Sequence, residues 1–535
     1  MPSLLDLPDG LLFEILAQLP ATTILCCRKV CHKLGQLTND RHLWITIYNQ
    51  RGALVQPVTE NIGQIELPEL EKVIVHAERL EDIWVDEEAL KTAPPVWYRT
   101  QLPSSGWPAL PLVPMGDYVI LREDYLETKF QWVSLVHSQH PNMPDTDGPS
   151  LGDSRNRSGH ICLEYLLEGA DQTQFTHYMD YATQSFYLAY YLVASSSSQP
   201  ILHLVTFDID PEEGPRLATN NEILLPTAHN FDSSMTMNHH HICIYEQSFE
   251  ENRYACLSLD IIDQTTRNVS QFLLIVPEWK SLAGQQQKRV HILETCFVLV
   301  AWDTFAIFPH SMGVGHTASP AQIYASFTGK LPTPVYNLLP CPSATPSFAF
   351  INFDYYLSSK GETAKIRLFF VDHLEGQWRI SAEECTEVLG TQSLAILPTA
   401  QRGETSQYAL GVSSCTGAKR PSWWTSLLWN RTLNSSGGRV PFELYYTLHI
   451  DLSREPGRRF DSNQGLLTVT KMHLVPCVDE EREQGGFVAM DPFRGRLLVF
   501  IGPYDRSSSE PRSVAVLDYL SKSYTVEGHR EVHKA

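Results

Sequence analysis

Four residues near the N-terminus are of types that bind metal ions. Cys26, Cys27, Cys31 and His32 fall close together, and thiolate and imidazole groups are the usual ligands of zinc. They lie, however, inside a run whose apolar residues recur with helical spacing, where cysteine packs as a small apolar side chain. We therefore predict that they belong to a helical core and that the chain holds no metal.

Other residues that could bind a metal ion or a cofactor are also better explained by structural roles. The run His239–His241 would place adjacent side chains on opposite faces of a strand, and His137 and His140 have no obvious carboxylate partner. The segment Gly313–Ala318 imitates a dinucleotide fingerprint, but Pro320 breaks the helix that would carry the pyrophosphate. We interpret these segments as solvated or hydrogen-bonded loops and strands.

No catalytic motif stands out. The sequence has no HExxH or GxxxxGK[ST] pattern. Trp423, Trp424 and Trp429 could form a ligand shelf, although packing between strands is the better interpretation. The sequence therefore predicts no catalytic residue and no cofactor.

Charge and compartment signals narrow the possible partners. The 535 residues include 41 basic and 61 acidic side chains, for a net charge of −20, which would repel a nucleic-acid backbone. The start, Met1–Asp6, lacks the basic region of a secretory signal. The most apolar stretch, Ser185–Ala194, is about half the ~20 residues that a membrane-spanning helix needs. We expect a cytoplasmic or nuclear protein that binds neither nucleic acid nor membrane.

The first fifty residues predict three short helices. Leucine and isoleucine recur with helical spacing between Leu7 and Leu19, and Pro20 ends that helix. A second helix is predicted from Thr22 through Leu34, and a third after Asn39–Asp40. Such a small apolar bundle is marginal alone, which is typical of a domain that completes its core on a partner.

The order of these residues resembles the F-box. The resemblance covers about 42 residues and includes two Leu-Pro pairs, a Val-Cys pair and a late tryptophan. Leu34 stands where that family most often has tryptophan. The resemblance implies a substrate receptor that binds a Skp-type adaptor and, through it, a cullin. The adaptor-binding residues that it implies are Leu7, Pro8, Leu11, Ile15, Leu16, Leu19, Pro20, Leu25, Val30, Leu34 and Trp44.

A further amphipathic helix is predicted from Pro68 to Trp84. Its apolar residues follow helical spacing, and glutamates occupy much of the opposite face. We interpret this helix as a connector; a partner-binding helix is the alternative. Pro94–Pro95 marks its boundary with the following region.

From residue 96 onwards, short β-branched and aromatic runs alternate with turn residues. Phe487–Met490 and Arg496–Phe500 predict one hairpin, whereas His137–His160 and Asp210–Glu222 are predicted loops. Several predicted strands end in an aspartate, which is a weak sign of an internal repeat; these residues are Asp208, Asp260, Asp354, Asp451 and Asp518. So many antiparallel strands need protected edges, which favours a degenerate β-propeller of six to eight blades over stacked β-sandwiches.

The predicted organisation is multidomain, α plus all-β. Residues 1–50 form the F-box domain, 51–95 a helical connector and 96–535 a substrate-binding β-domain. The leading functional hypothesis is a non-enzymatic receptor that recruits a protein target to a cullin-RING ubiquitin ligase. One alternative is an adaptor-bound scaffold outside any ligase. Another is a propeller enzyme with an accessory F-box, which would need paired carboxylates at its channel.

Overall fold

Five α-helices, one 3₁₀ turn and thirty strands lie within the described part of the chain. The computed structural model describes residues 4–50, 62–85, 96–102, 110–124, 128–135, 156–167, 173–180, 184–192, 201–210, 213–225, 234–237, 241–248, 253–260, 269–276, 288–293, 296–309, 321–332, 337–341, 346–358, 361–389, 391–396, 406–413, 442–451, 467–476, 485–491, 494–501 and 513–518. Across these ranges, no helix is both long and apolar enough to cross a membrane.

The N-terminal region is helical, as predicted, but the predicted second helix is divided. After a 3₁₀ turn at Leu4–Asp6, the helices are α1 (Asp9–Ala17), α2 (Ala21–Cys27), α3 (His32–Thr38), α4 (Arg41–Gln50) and α5 (Leu67–Val85). The chain turns after α2, and Cys31 is extended, with φ −157° and ψ 165°, before α3 begins. The expectation of three helices before residue 50 was therefore wrong, since four form.

One apolar core joins these helices, and it includes α5. Its buried members are Leu16, Ala17, Ala21, Ile24, Leu34, Leu43, Trp44, Ile47, Ile65, Leu70 and Ile74. The amphipathic spacing that predicts a helix over Pro68–Trp84 is confirmed by α5, whose apolar face completes the bundle.

The strands form seven sheets. Sheet I contains β2 (Leu110–Met115), β3 (Tyr118–Asp124), β4 (Thr128–Ser134) and β6 (His160–Leu166). Sheet II contains β7 (Thr173–Asp180), β8 (Ser185–Leu192), β9 (Ile201–Asp210) and β10 (Gly214–Leu224). Sheet III contains β11 (Ser234–Met237), β12 (His241–Ser248), β13 (Arg253–Asp260), β14 (Val269–Ile275) and the later strand β18 (Ala321–Tyr324).

Sheet IV contains β15 (Lys288–Ile292), β16 (Cys296–Ala301), β17 (Thr304–Pro309) and β19 (Phe327–Lys330). Sheet V contains β20 (Asn337–Pro340), β21 (Ser347–Ser358), β22 (Gly361–Leu374) and β23 (Gln377–Leu389). Sheet VI contains β24 (Thr391–Ile396), β25 (Ser406–Ser413), β26 (Phe442–Asp451) and β27 (Leu467–Pro476). Sheet VII contains β28 (Gly485–Asp491), β29 (Arg496–Ile501), β30 (Ser513–Asp518), β1 (Val96–Gln101) and β5 (Asn156–Ser158).

Each sheet is built on an antiparallel meander, and sheet VII joins the two ends of the β-region. Strand β1 pairs antiparallel with β30, so that Val96 lies opposite Asp518 and Gln101 opposite Ser513. The predicted hairpin is confirmed by the pairing of β28 with β29. The fourth strand of the last sheet therefore comes from the start of the β-region.

Sheets I and IV each lend a strand to a neighbouring sheet. In the sequence, β5 lies between the third and fourth strands of sheet I, but it pairs in parallel with β1 of sheet VII. Likewise, β18 lies in the sequence between the third and fourth strands of sheet IV, but it pairs in parallel with β14 of sheet III. Both returning strands cover an outer edge whose backbone groups would otherwise be open to pairing.

Consecutive sheets pack face to face through buried apolar side chains. Separate clusters join sheets I and II, II and III, III and IV, and IV and V. Another cluster joins sheet VII to sheet I through Val514, Val516, Leu121 and Val133. Backbone contacts of β22 with β24 and of β23 with β27 relate sheets V and VI. The core of the β-region is thus a series of interfaces between neighbouring sheets.

The recurrence of aspartates marks one position in several sheets. Asp208, Asp260, Asp451 and Asp518 each lie opposite the first residue of the second strand of their sheet. Asp354 was wrongly included, because it lies in a second strand opposite Lys365; the equivalent residue of sheet V is Asp372, opposite Ser347. The Ser185 hydroxyl donates to Asp208 at 2.7 Å. These aspartates lie at or within two residues of the C-terminal end of the third strand of their sheet.

The predicted loop at Asp210–Glu222 was wrong, because β10 occupies most of it. Its polar residues Asn220 and Asn221 lie on the outer strand of sheet II, where exposed side chains meet solvent. The predicted loop at His137–His160 also ends in a strand, β5. The confirmed outline is a helical N-terminus followed by mainly antiparallel sheets.

Candidate functional site

An exposed apolar surface covers one side of α1. Leu11 and Ile15 lie one helical turn apart and are 48% and 40% exposed, whereas the next residues along, Leu12 and Leu16, are buried. Val30, after α2, is 70% exposed. Apolar side chains this exposed on a small bundle indicate a surface that a partner covers.

The residues implied by the resemblance divide into two sets. Pro8, Leu11, Ile15, Pro20 and Val30 are exposed, and we call these five the docking face. Leu7, Leu19 and Leu25 are partly buried. Leu16, Leu34 and Trp44 are buried in the core of the helical bundle. In this structure, therefore, these three support the docking face from inside the bundle.

Lys33 holds the segment that leads into α1. Its ammonium group donates to the carbonyl oxygens of Leu5 and Leu7, at 2.9 and 3.0 Å, and lies 3.1 Å from the Asp9 carboxylate. A single side chain of α3 thus fixes the first turn of α1 and the apolar residues before it.

Arg28 connects four helices at the turn after α2. Its guanidinium makes a two-pronged ion pair with Glu71 of α5 and donates to the carbonyl oxygen of Thr38 at 2.8 Å. The indole N–H of Trp44 donates to the same oxygen, also at 2.8 Å, and the guanidinium lies 5.9 Å from the Trp44 ring centre. This network holds the turn that carries Val30.

Sequence reasoning missed the polar residues that build this arrangement: Arg28, Lys33, Thr38 and Glu71, together with Glu78, whose carboxylate accepts from the backbone N–H of Ala21. A signal did exist, since Arg28 and Lys33 are cations within an otherwise apolar region. Glu71 and Glu78 are two helical turns apart, and so share a face of α5.

The cysteines of the suspected metal cluster are free thiols within the helical bundle. Cys26 is exposed, while Cys27 and Cys31 are partly buried against the apolar core. No group of three metal-ligating side chains occurs among the residues that the structure describes. His137, His140, His239, His240, Gly313–Ala318, Trp423, Trp424 and Trp429 lie outside the described residues.

Comparison with known families decides the nature of the helical region. A model of the F-box-like family matches residues 4–50. The chain carries an F-box-like domain. Such domains bind Skp-type adaptors, which implies a general involvement in Skp–cullin–F-box ubiquitin ligases. The residues matched by the F-box-like model comprise the 3₁₀ turn and α1 to α4, and stop before α5.

Similarities beyond the F-box-like domain are distant. No curated protein sequence matches the chain. The WD40 domain of SCAP from fission yeast is 11% identical, with 77% of this chain and 81% of that chain covered and a TM-score of 0.34. The hydrazine synthase of Kuenenia stuttgartiensis is 10% identical, with 61% and 76% covered and a TM-score of 0.27. An exo-β-1,3-galactanase from Phanerochaete chrysosporium is 10% identical, with 77% and 96% covered and a TM-score of 0.24.

Proposed function

We propose that the chain is a substrate receptor of a Skp–cullin–F-box ubiquitin ligase. Its docking face binds the adaptor, and its β-region holds a protein target. The chain then acts by proximity, because it raises the effective concentration of target lysines near a conjugating enzyme. In this proposal no residue of the chain performs chemistry, and the protein works in the cytoplasm or nucleus.

The docking face is the observation that carries this proposal. Its exposed apolar residues lie within the F-box-like domain, on a bundle whose interior is already filled by Leu16, Leu34 and Trp44. Each apolar side chain that becomes fully buried on a partner stabilises the complex by about 1.5–3 kcal/mol before opposing terms are counted. A few such anchors dominate an interface.

The test is a pull-down of a purified Skp-type adaptor with the full chain. Leu11→Asp and Ile15→Asp should each abolish retention, because they place a charge on the docking face. Leu217→Asp is the matched control, since Leu217 is 46% exposed on the outer strand β10 of sheet II. Retention by both docking-face variants, or loss by the control alone, would overturn the proposal.

A second assay separates the receptor from the adaptor-bound scaffold. The adaptor-bound chain is mixed with a neddylated cullin–RING complex, a conjugating enzyme and ubiquitin. Assembly into the complete complex, followed by ubiquitin transfer to proteins retained by residues 96–535, is expected of a receptor. Adaptor binding without cullin assembly would favour the scaffold.

We also propose that the seven sheets are the blades of a β-propeller. The packing of successive sheets, the entry of β1 into sheet VII and the approach of first strands β28 to β2 and β7 to β11 support this arrangement. Seven lies within the predicted range of six to eight. An electron cryomicroscopy map of the adaptor-bound chain should show seven radial blades, whereas two stacked sandwiches would contradict the proposal.

A further inference from the structure

Side chains of helix α5 contact α2 at both ends of α2. The backbone N–H of Ala21, the first residue of α2, donates to both carboxylate oxygens of Glu78 at 2.7 Å. At the other end, the two-pronged ion pair joins Arg28 to Glu71. Glu71 and Glu78 are separated by about 10.5 Å along α5, which matches the length of the seven-residue helix α2.

α2 has no cap of its own at its N-terminus. The preceding residue is Pro20, which makes no side-chain capping bond, whereas Ser, Thr, Asp or Asn would normally accept from the first amides. The Glu78 carboxylate takes over this function from another helix. It also places a negative charge at the positive end of the α2 dipole.

α2 borders the docking face. Pro20 lies immediately before it, Val30 follows its last turn, and Leu25 is partly buried along it. α5 also contacts β26 and β27 of sheet VI. The same helix therefore touches both the part of the F-box-like domain that carries docking residues and the β-region.

We propose that α5 is part of the adaptor-docking module and that Glu71 and Glu78 are positioning residues, which hold α2 in its binding-competent form. This inference rests on the proposed adaptor binding. It extends the functional module from residue 50 to residue 85. We call the contacts of Glu71 with Arg28 and of Glu78 with Ala21 the clamp. When the clamp is removed, α2 frays in the free chain, and the apparent adaptor affinity falls in proportion to the fraction of molecules in which α2 stays folded.

The test uses the full chain and two measurements. Hydrogen exchange followed by mass spectrometry reports on residues 20–30 without adaptor, and biolayer interferometry reports the adaptor affinity. Glu78→Ala should speed exchange in α2 roughly fivefold, since loss of a helix cap costs about 1 kcal/mol of helix stability, and should weaken adaptor binding to the extent that the competent fraction falls. Glu71→Ala should speed exchange around Arg28. Glu78→Gln, which keeps one acceptor oxygen, should have a smaller effect than Glu78→Ala.

Glu69→Gln is the matched control. Glu69 is exposed on α5 and pairs with Lys72 of the same helix at 2.6 Å, so its variant should exchange and bind like the unaltered chain. Unchanged exchange in α2 overturns the clamp, and faster exchange with unchanged affinity overturns its role in adaptor binding. If the unaltered chain binds no adaptor, the proposed function fails, while the exchange data still decide whether α5 holds α2.

Discussion

Neighbouring residues of α1 have opposite roles. Ile15 is 40% exposed, while Leu16 is buried against the other helices. Leu16→Ala should lower the free energy of unfolding of the helical bundle by about 2–5 kcal/mol, because it leaves a cavity. Ile15→Ala should leave that stability within about 0.5 kcal/mol of the unaltered value and weaken adaptor binding instead. Denaturant unfolding and interferometry on both variants check the contrast, and equal stability losses would contradict it.

Sequence alone could not separate these two roles. Leu11, Leu12, Ile15 and Leu16 form one broad apolar stripe in the sequence, and helical spacing shows only which side of α1 is apolar. Which half of the stripe becomes buried depends on the other helices of the bundle, whose apolar side chains form one cluster with Leu16 and leave Ile15 open. Tertiary packing therefore defines the docking face.

Two partly buried histidines should make the β-region sensitive to acid. Burial, with a smaller contribution from the nearby Arg122, lowers the pKa of His177 to about 4. Burial and Arg289 likewise lower the pKa of His291 to about 4. Since the unfolded value is near 6.5, the unfolded chain binds more protons between these values. Their contribution to stability is therefore complete above about pH 6.5 and is lost as the pH falls towards 4.

Near pH 5 each histidine should lower the free energy of unfolding by about 2 kcal/mol relative to its value at neutral pH. The double variant His177→Gln/His291→Gln should therefore lose less stability between pH 7 and pH 5 than the unaltered chain. Denaturant midpoints at the two pH values measure the difference. Parallel losses in both proteins would show that these imidazoles do not carry the acid sensitivity.

Among the elements, the returning strand β5 depends on a glycine. The N–H of Gly159, which follows β5, donates to the carbonyl oxygen of Gln101 at 2.7 Å. A Cβ there would lie only 2.8 Å from that oxygen and from a methyl group of Val133. Gly159→Ala should push β5 off β1 and lower stability by about 1–3 kcal/mol.

Thermal unfolding measures the loss, and light scattering follows the aggregation expected when the outer edge of β1 opens. Gly10→Ala is the control, because a Cβ at Gly10 meets nothing within 4 Å. An unchanged melting temperature for Gly159→Ala would show that β5 is not held by this close approach.

Elements with a strong local pattern were predictable, and those shaped by distant contacts were not. The amphipathic period placed a helix at Pro68–Trp84, within one residue of α5 at each end. The break between α2 and α3 has no glycine or proline to signal it, since it spans Arg28, Lys29, Val30 and Cys31. The chain turns there while Arg28 contacts Thr38, Trp44 and Glu71, residues that are 10 or more positions away.

At the scale of the whole molecule, an ionic cluster reinforces the junction between the first and last sheets. Asp117, in the turn between β2 and β3, accepts from Arg494 at 3.0 Å and from Arg496 at 2.6 Å. Arg496 also donates to Asp518 at 3.2 Å. Partial burial raises the pKa of Asp117, but the hydrogen bonds and charges of Arg496 and Arg494 outweigh it, so that the net pKa lies below 3.8.

Asp117→Asn should therefore loosen the contact between sheets I and VII. The Asp117 side chain is 44% exposed, so solvent screening limits the expected loss at neutral pH to about 1 kcal/mol or less. A carboxylate with a lowered pKa stabilises the fold above its unfolded value, and that stability is lost as the pH falls through the folded value. The difference between variant and unaltered chain should accordingly begin to shrink as the pH falls below about 3.8 and vanish below the lower pKa of the folded chain.

Hydrogen exchange in β1 provides the readout that distinguishes a junction from an ordinary surface ion pair. β1 is bonded to β30, whose last residue, Asp518, belongs to the cluster. Asp303→Asn is the control, since it removes the partner of Lys330 inside sheet IV alone. Faster exchange of β1 in Asp117→Asn, but not in Asp303→Asn, is expected because only the former cluster joins two sheets. If β1 exchanges at the same rate in both, the strand pairing holds the chain ends together without the ions.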